Sequence, residues 1–308
     1  MTLKDSRKDG MTMSHDASRF STRILANEYV RLDYLTTAGP RIVRLSLAGS
    51  DDNLMAEVPD ITIPTPHGDF KLIGGHRLWH SPEAFPRSYL PDNDPPEVTE
   101  LAGGVRLTQP VEQLTGIRKS IEVHLEPARA AVTVIHRLEN QGAWPVELAC
   151  WALTQMRLGG VVVFPQTTYK LDDAGLLPNR SLVLWPYTRL ADPRLSLNDD
   201  FVLISANPLT PAVKVGYFNR HGWVGYLVGG VFCVKRFDVR ADLPHPDFGC
   251  NSESYCNDRF VEVETVGPLT HLEPGQMATY LERWELYAAR DVPQTLEGVR
   301  ELIKSLRL

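Results

Sequence analysis

Apolar and polar residues alternate with a period of two along most of the chain, the pattern of strands that bury one face. Val30 to Tyr34 alternates, and Arg41 to Leu47 does so after a Gly39-Pro40 break. Val105 to Thr108, Ile117 to Leu125 and Ala131 to Leu138 follow, each bounded by Gly, Pro or Asn. Val146 to Gln155, Gly160 to Phe164, Phe201 to Ser205, Ala212 to Phe218, Gly222 to Leu227 and Val231 to Phe237 continue the series. A last hairpin runs from Phe260 to Trp284, turning at Glu273-Pro274-Gly275-Gln276, where Pro and Gly occupy the central positions of a type II turn. Only Pro293 to Leu306 has helical spacing: Leu296, Val299, Leu302, Ile303 and Leu306 form one stripe, with Asp291 as the expected N-cap. A dozen or so strands without βαβ alternation predict an all-β sandwich or barrel with a C-terminal helix. Nothing in the composition marks a boundary, so one domain is expected over 21–308, after a polar leader over 1–20 read as disordered.

The stretch from Ile61 to Pro96 breaks the pattern. It lacks periodicity and is dense in Pro, aromatic and charged residues, as functional loops are. Gly74-Gly75 predicts a close backbone approach. Around Arg77, alternation puts His76, Leu78 and His80 on one side and Arg77 and Trp79 on the other. Only one of those sets can face a given pocket.

A chain of 308 residues, 43% hydrophobic and 23% charged, is an ordinary globular protein. Its net charge of −6 and the absence of any Lys/Arg run longer than a dipeptide argue against a nucleic-acid footprint. The leader has no apolar core of a signal peptide, and Met11 or Met13 offers a later start. Apolar runs are only a few residues long, so no membrane span is expected. Cys150 and Cys233 lie in apolar strand-like sequence and read as core thiols. Cys250 and Cys256 are close enough in sequence to pair, but the chain fits a reduced cytoplasm better.

In the last hairpin Val261 and Val263 alternate with Glu262 and Glu264, so two carboxylates project side by side if the valines face the core. Two nearby carboxylates push one pKa upward. His136, alternating with Val132 and Val134, reads as a core histidine. His245, Asp247, Glu253, Cys250 and Cys256 match no metal-ligand spacing. No metal and no cofactor is expected.

Three separated stretches, TAGPRIVRLSLAGSDDNLMAE, GGHRLWHSPE and FVEVETVGPLTHLEPGQ, together resemble the galactose mutarotase-like superfamily, in an uncharacterised branch apart from the aldose 1-epimerases proper. The resemblance runs from about Leu25 to Tyr287. It implies a β-supersandwich with a sugar-sized cleft on a concave face, and it places Glu264, in VETVGPL, at the position of the family's general base. The family's histidine acid has no counterpart: Trp151-Ala152-Leu153 stands where it would fall, and His76 is the nearest substitute for the second histidine.

Anomerisation requires a base for the anomeric hydroxyl and an acid for the ring oxygen. The expected catalytic set is Glu264 as base with His76 or His80 as acid. Arg77 is expected to bind hydroxyls or a carboxylate through its fork. Trp79, Trp151 and Trp185 are candidates for the apolar face of a pyranose. Glu262, Lys214 and Lys235 complete the substrate-binding set, although Lys235 also reads as a solvent-side residue. The expected ligand is a small sugar or oligosaccharide. The activity is either aldose 1-epimerase-like isomerisation or carbohydrate binding without turnover, with a uronate lyase as a third reading.

Overall fold

The computed structural model describes residues 20–308; of the leader expected over 1–20, all but Phe20 lies outside the described residues. Two antiparallel sheets pack face to face. The first runs, in spatial order, β1 (Thr22–Ala26), β2 (Val30–Leu35), β3 (Ile42–Leu47), β5 (Gly68–Ser81), β10 (Val146–Met156), β19 (Val261–Val266), β18 (Ser252–Cys256), β15 (Val213–Tyr217) and β12 (Val183–Leu184). Strand β4 (Glu57–Thr65) pairs with β5, and β20 (Thr270–Leu272) with β10. The second sheet runs β13 (Leu195–Leu197), β14 (Phe201–Ser205), β11 (Val161–Pro165), β16 (Trp223–Val228), β17 (Val231–Phe237), β21 (Met277–Ala288), β9 (Ala131–Asn140), β8 (Ile117–Leu125), β7 (Gly104–Thr108) and β6 (Glu97–Leu101). The all-β architecture expected from the alternation is the one observed.

The main core lies between the sheets. Val261 and Val263 of β19 pack there with Val132 and Val134 of β9 and Trp284 of β21. A second apolar cluster lies on the far side of the second sheet. There Val161, Val163, Phe232 and Val234 receive Val299, Leu302 and Ile303 of the C-terminal helix, Leu296–Leu306. The helix cap is Thr295, whose side chain accepts from the Gly298 N–H, and not the expected Asp291. Since the helix covers one outer face, the outer face of the first sheet is left for other work.

The expected loop over Ile61–Pro96 is a correction. Residues 61–81 belong to strands β4 and β5 and the tight turn between them, and the stretch beyond Ser81 is loop, with a 3-10 turn at Arg87–Tyr89. Strand β5 is buried on both faces from Leu72 to Ser81, so it has no wet side to create an alternating pattern. The Gly74-Gly75 pair serves the same packing. Both have positive φ, and a side chain on Gly74 or Gly75 would strike the carbonyl of Ala56 or Ile42 on neighbouring segments. The close approach is to the protein's own backbone.

Candidate functional site

Strand register decides which side chains share the outer face of the first sheet. Arg77 lies opposite Leu153 of β10, which lies opposite Glu264 of β19, which lies opposite Glu253 of β18. One row away, Trp79 opposes Trp151; on the other side, Gln155 opposes Glu262, and Tyr255 of β18 opposes Lys214 of β15. Because side chains alternate, all of these project outward together while Val261 and Val263 point into the core.

Over this face opens a cleft of about 480 Å³. Trp79, Trp151, Trp185, Tyr89, Tyr187 and Tyr255 supply aromatic walls, and Glu262, Gln155, Lys214, Asn257 and Glu83 supply the polar groups. Apolar walls with a few converging polar groups are the usual make-up of a small-molecule site. A second hollow adjoins it, sharing Ile63, Glu83, Tyr89 and Trp185 and adding Phe85 and Asp247. Gly216 makes room at the far side: a Cβ there would press on the Glu253 side chain and on Trp185. Another hollow, near Asp92 and Gln109 to Leu114, is built from turns and has no Trp, Tyr or Phe in its lining.

The floor is an ionic cluster. Lys214 Nζ lies 2.8 Å from Glu253 and 3.0 Å from Glu264, and 4.7 Å from the ring centres of both Trp151 and Trp185. Trp151 Nε1 donates to Glu264 at 2.7 Å. Burial pulls the Lys214 ammonium down, but Glu253, Glu264 and Glu262 together carry its pKa well above the ordinary lysine value. With one lysine among three carboxyls, the others are disfavoured as anions. Burial, reinforced by Glu264, pushes Glu262 up to about 8, and burial likewise pushes Glu253 up to about 8 against the pull of Lys214.

Glu264 and Glu262 differ in access. Glu264 is fully buried, tied to Lys214 and Trp151, and does not line the cleft. Glu262 lines it, is 9% exposed, and among the described residues forms no ion pair. Its one side-chain partner is Gln155, whose Nε2 donates to Oε1 at 2.9 Å. Arg77 in turn donates to Gln155 Oε1 at 3.2 Å and to the Leu72 carbonyl, with its guanidinium over the rings of Phe70 and Trp79. Arg77 therefore acts from beneath the floor, through Gln155, and does not itself line the cleft.

Three expected site residues lie elsewhere. His76 and His80 occupy the opposite side of β5 from Trp79, and Lys235 reaches in from the second sheet, so none of the three meets Glu262 or Glu264 in the cleft. The cause is the pleat: beyond the Gly74-Gly75 pair, the even-numbered residues of β5 face the other sheet, whereas Phe70 and Leu72 before it lie with Trp79 on the cleft side. His76 Nε2 lies 2.8 Å from His136 Nε2, and His136 Nδ1 lies 3.1 Å from the Tyr280 carbonyl. Because that carbonyl only accepts, His136 carries its proton on Nδ1 and accepts from His76. His76 then accepts from Thr154, at 2.9 Å, whose hydroxyl accepts from Lys235 at 2.9 Å. Lys235 also pairs with Glu282 at 2.9 Å, and Glu282 takes the Trp284 Nε1–H at 2.8 Å and the Thr265 hydroxyl. Although His76, His136 and Glu282 bring ligand-type atoms within 4.8 Å of one another, internal hydrogen bonds already satisfy them. His80 pairs with Glu112 at 3.3 Å, beside Lys119. All four cysteines are buried free thiols.

Sequence reasoning missed Gln155, Glu253, Tyr89, Tyr187 and Tyr255. The first was legible as the next outward position after Trp151 and Leu153. Glu253 and Tyr255 belong to β18, whose Ser-Glu-Ser-Tyr-Cys sequence has no apolar alternation to announce a strand.

Solved structures share the fold. A galactose mutarotase-like protein from Lactobacillus casei superposes with a TM-score of 0.54 at 11% identity, over 87% of this chain and 100% of that one. A candidate aldose 1-epimerase from Escherichia coli K12 gives 0.55 at 13% identity, over 87% and 99%. The chain has the galactose mutarotase-like fold. A galactose mutarotase related enzyme from Lactobacillus acidophilus extends the likeness, at 0.54 and 10% identity over 88% and 99%. No protein-family model and no curated protein matches the sequence. Identities this low carry the mutarotase-like fold and no residue roles. Among the described residues no helix is long and apolar enough to cross a membrane.

Proposed function

We propose that the cleft on the first sheet binds the ring of a free aldose and that the chain is a carbohydrate-active protein of the aldose 1-epimerase type. One observation carries this: an aromatic-walled hollow of sugar-binding dimensions has a carboxyl, Glu262, on its floor. The mutarotase-like fold is consistent with it, through neighbours whose names refer to mutarotases and aldose 1-epimerases. In this reading Trp79, Trp151 and Trp185 offer their faces to C–H bonds of the sugar, while Lys214, Asn257 and Gln155 meet its hydroxyls. Glu264 holds Lys214 and Trp151 in place from behind the floor, and Arg77 does the same for Gln155. Four buried thiols without a disulfide fit a reducing compartment such as the cytoplasm.

The test is relaxation of freshly dissolved anomers, followed by polarimetry or exchange NMR over a panel of hexoses, pentoses and amino sugars. Acceleration over the buffer rate for at least one is the expected result. A panel that neither binds nor relaxes faster removes the proposal. A second reading, sugar binding without turnover, is favoured by one observation: among the described residues, no histidine lines the cleft. It predicts saturable calorimetric binding with anomer relaxation at the buffer rate.

A further inference from the structure

Among the three carboxyls of the floor, Glu253 and Glu264 are both committed to Lys214. Glu262 is the one that lines the cleft, and among the described residues an uncharged amide is its only side-chain partner. Anomerisation moves two protons on two oxygens bonded to the same carbon: the anomeric hydroxyl loses one and the ring oxygen gains one. A histidine and a glutamate on opposite sides of a cleft are one way to do this. A single undissociated carboxyl is another, because its O–H donates while its C=O accepts, and the spacing of its two oxygens matches that of the two oxygens on an anomeric carbon.

We propose that Glu262 alone performs both proton transfers, as one bifunctional carboxylic acid on the floor of the cleft. The proposal rests on the cleft being an aldose site. In the step, the Glu262 O–H gives its proton to the ring oxygen and the bond from that oxygen to the anomeric carbon breaks. The anomeric hydroxyl gives its proton to the other Glu262 oxygen as its C–O bond becomes a carbonyl. The carboxyl ends neutral, with its proton on the opposite oxygen, and the sugar ends as the open-chain aldehyde. Rotation about the bond to the neighbouring carbon and reversal of the transfers give the other anomer. No co-reactant is consumed. The substrate class follows: free reducing sugars with a hemiacetal hydroxyl turn over, and their methyl glycosides bind without turnover.

The surroundings keep this carboxyl undissociated near neutral pH. Burial, then the Glu264 anion two residues away, raise its pKa, against Lys214 from β15, Gln155 from β10 and Arg77 from β5. Tyr89 and Tyr255, from the 3-10 turn and β18, also face it and titrate only at higher pH. Gln155, by donating to Oε1, leaves that oxygen one lone pair for the sugar proton.

The experiment is the pH profile of anomer relaxation in the full chain, in wild type, Glu262→Gln and Gln155→Leu. In wild type the rate should fall as pH rises through about 8. Glu262→Gln should lose roughly 10²-fold or more in kcat with KM little changed, the usual worth of a positioned proton-transfer group. Gln155→Leu removes a donor that favours the anion, so its descending limb should move to higher pH; this arm decides the matter should Glu262→Gln not fold. Wild-type kcat in a folded Glu262→Gln, or an unmoved limb in Gln155→Leu, overturns the proposal while leaving the aldose reading intact. Saturable sugar binding with no acceleration in wild type overturns it in favour of binding without turnover.

Discussion

The ammonium of Lys214 stands 3.0 Å from the carboxylate of Glu264, held between the faces of Trp151 and Trp185. With Glu253 at 2.8 Å on its other side, this lysine neutralises a floor that otherwise holds only carboxyls and their neutral partners. Removing one member of a buried ion pair leaves its partners uncompensated, which typically costs about 3–5 kcal/mol. Lys214→Met should therefore lower stability by about that much in urea unfolding near neutral pH.

Stability should also depend on pH with a definite sign. Glu262 and Glu253 have folded pKa values of about 8, above their ordinary 4.5. Their contribution is complete below about 4.5 and is lost as pH rises through about 8, because the folded state binds the extra protons. His136 is the reverse: burial lowers it to about 4 from 6.5, so its contribution is complete above about 6.5 and is lost as pH falls toward 4. His76 is lowered as well, by burial and then by His136. The two sets oppose each other between about 4.5 and 6.5. A net fall in Tm is expected from about pH 6.5 to about 8, and Glu262→Gln should remove about half of it. A Tm that rises over that interval contradicts the assignment.

Trp185 offers a clean test of the cleft. It is half-buried, lines both adjoining hollows and comes from a short edge segment, whereas Trp79 and Trp151 are buried in the sheet. Trp185→Ala should weaken sugar binding about tenfold, equivalent to about 1.4 kcal/mol, with a small change in Tm. Isothermal calorimetry and a thermal melt together check this.

The C-terminal helix depends on its cap. Thr295 accepts from the Gly298 N–H at 3.2 Å, satisfying a donor at the first turn. Thr295→Ala should cost about 1 kcal/mol in chemical unfolding. Asp291→Ala, which touches the position that spacing alone would choose, should cost less.

Legibility differed between elements for physical reasons. A strand with one buried face, such as β9, was readable to within a residue or two, because water on one side forces polar residues into alternate positions. Strand β5 was not: both of its faces are covered, so Trp79, Arg77, His76 and His80 all look alike as buried strand residues. The split of His76 and His80 from Arg77 and Trp79 was legible from the pleat. Which half belonged to a cleft depended on where the second sheet lay.

By itself, then, the sequence determined an all-β chain with a terminal helix and put Glu262 and Glu264 on one side of their strand, because period two is a local property of the backbone. Tertiary structure alone decided that Glu262 reaches the cleft while Glu264 is buried beneath Lys214 and Trp151, that His76 answers His136 across the core, and that Gln155, Glu253 and Tyr255 join the site. Those outcomes depend on strand order and on packing between sheets, which bring together residues 50 positions apart, as Lys214 and Glu264 are, or 113, as Trp151 and Glu264 are.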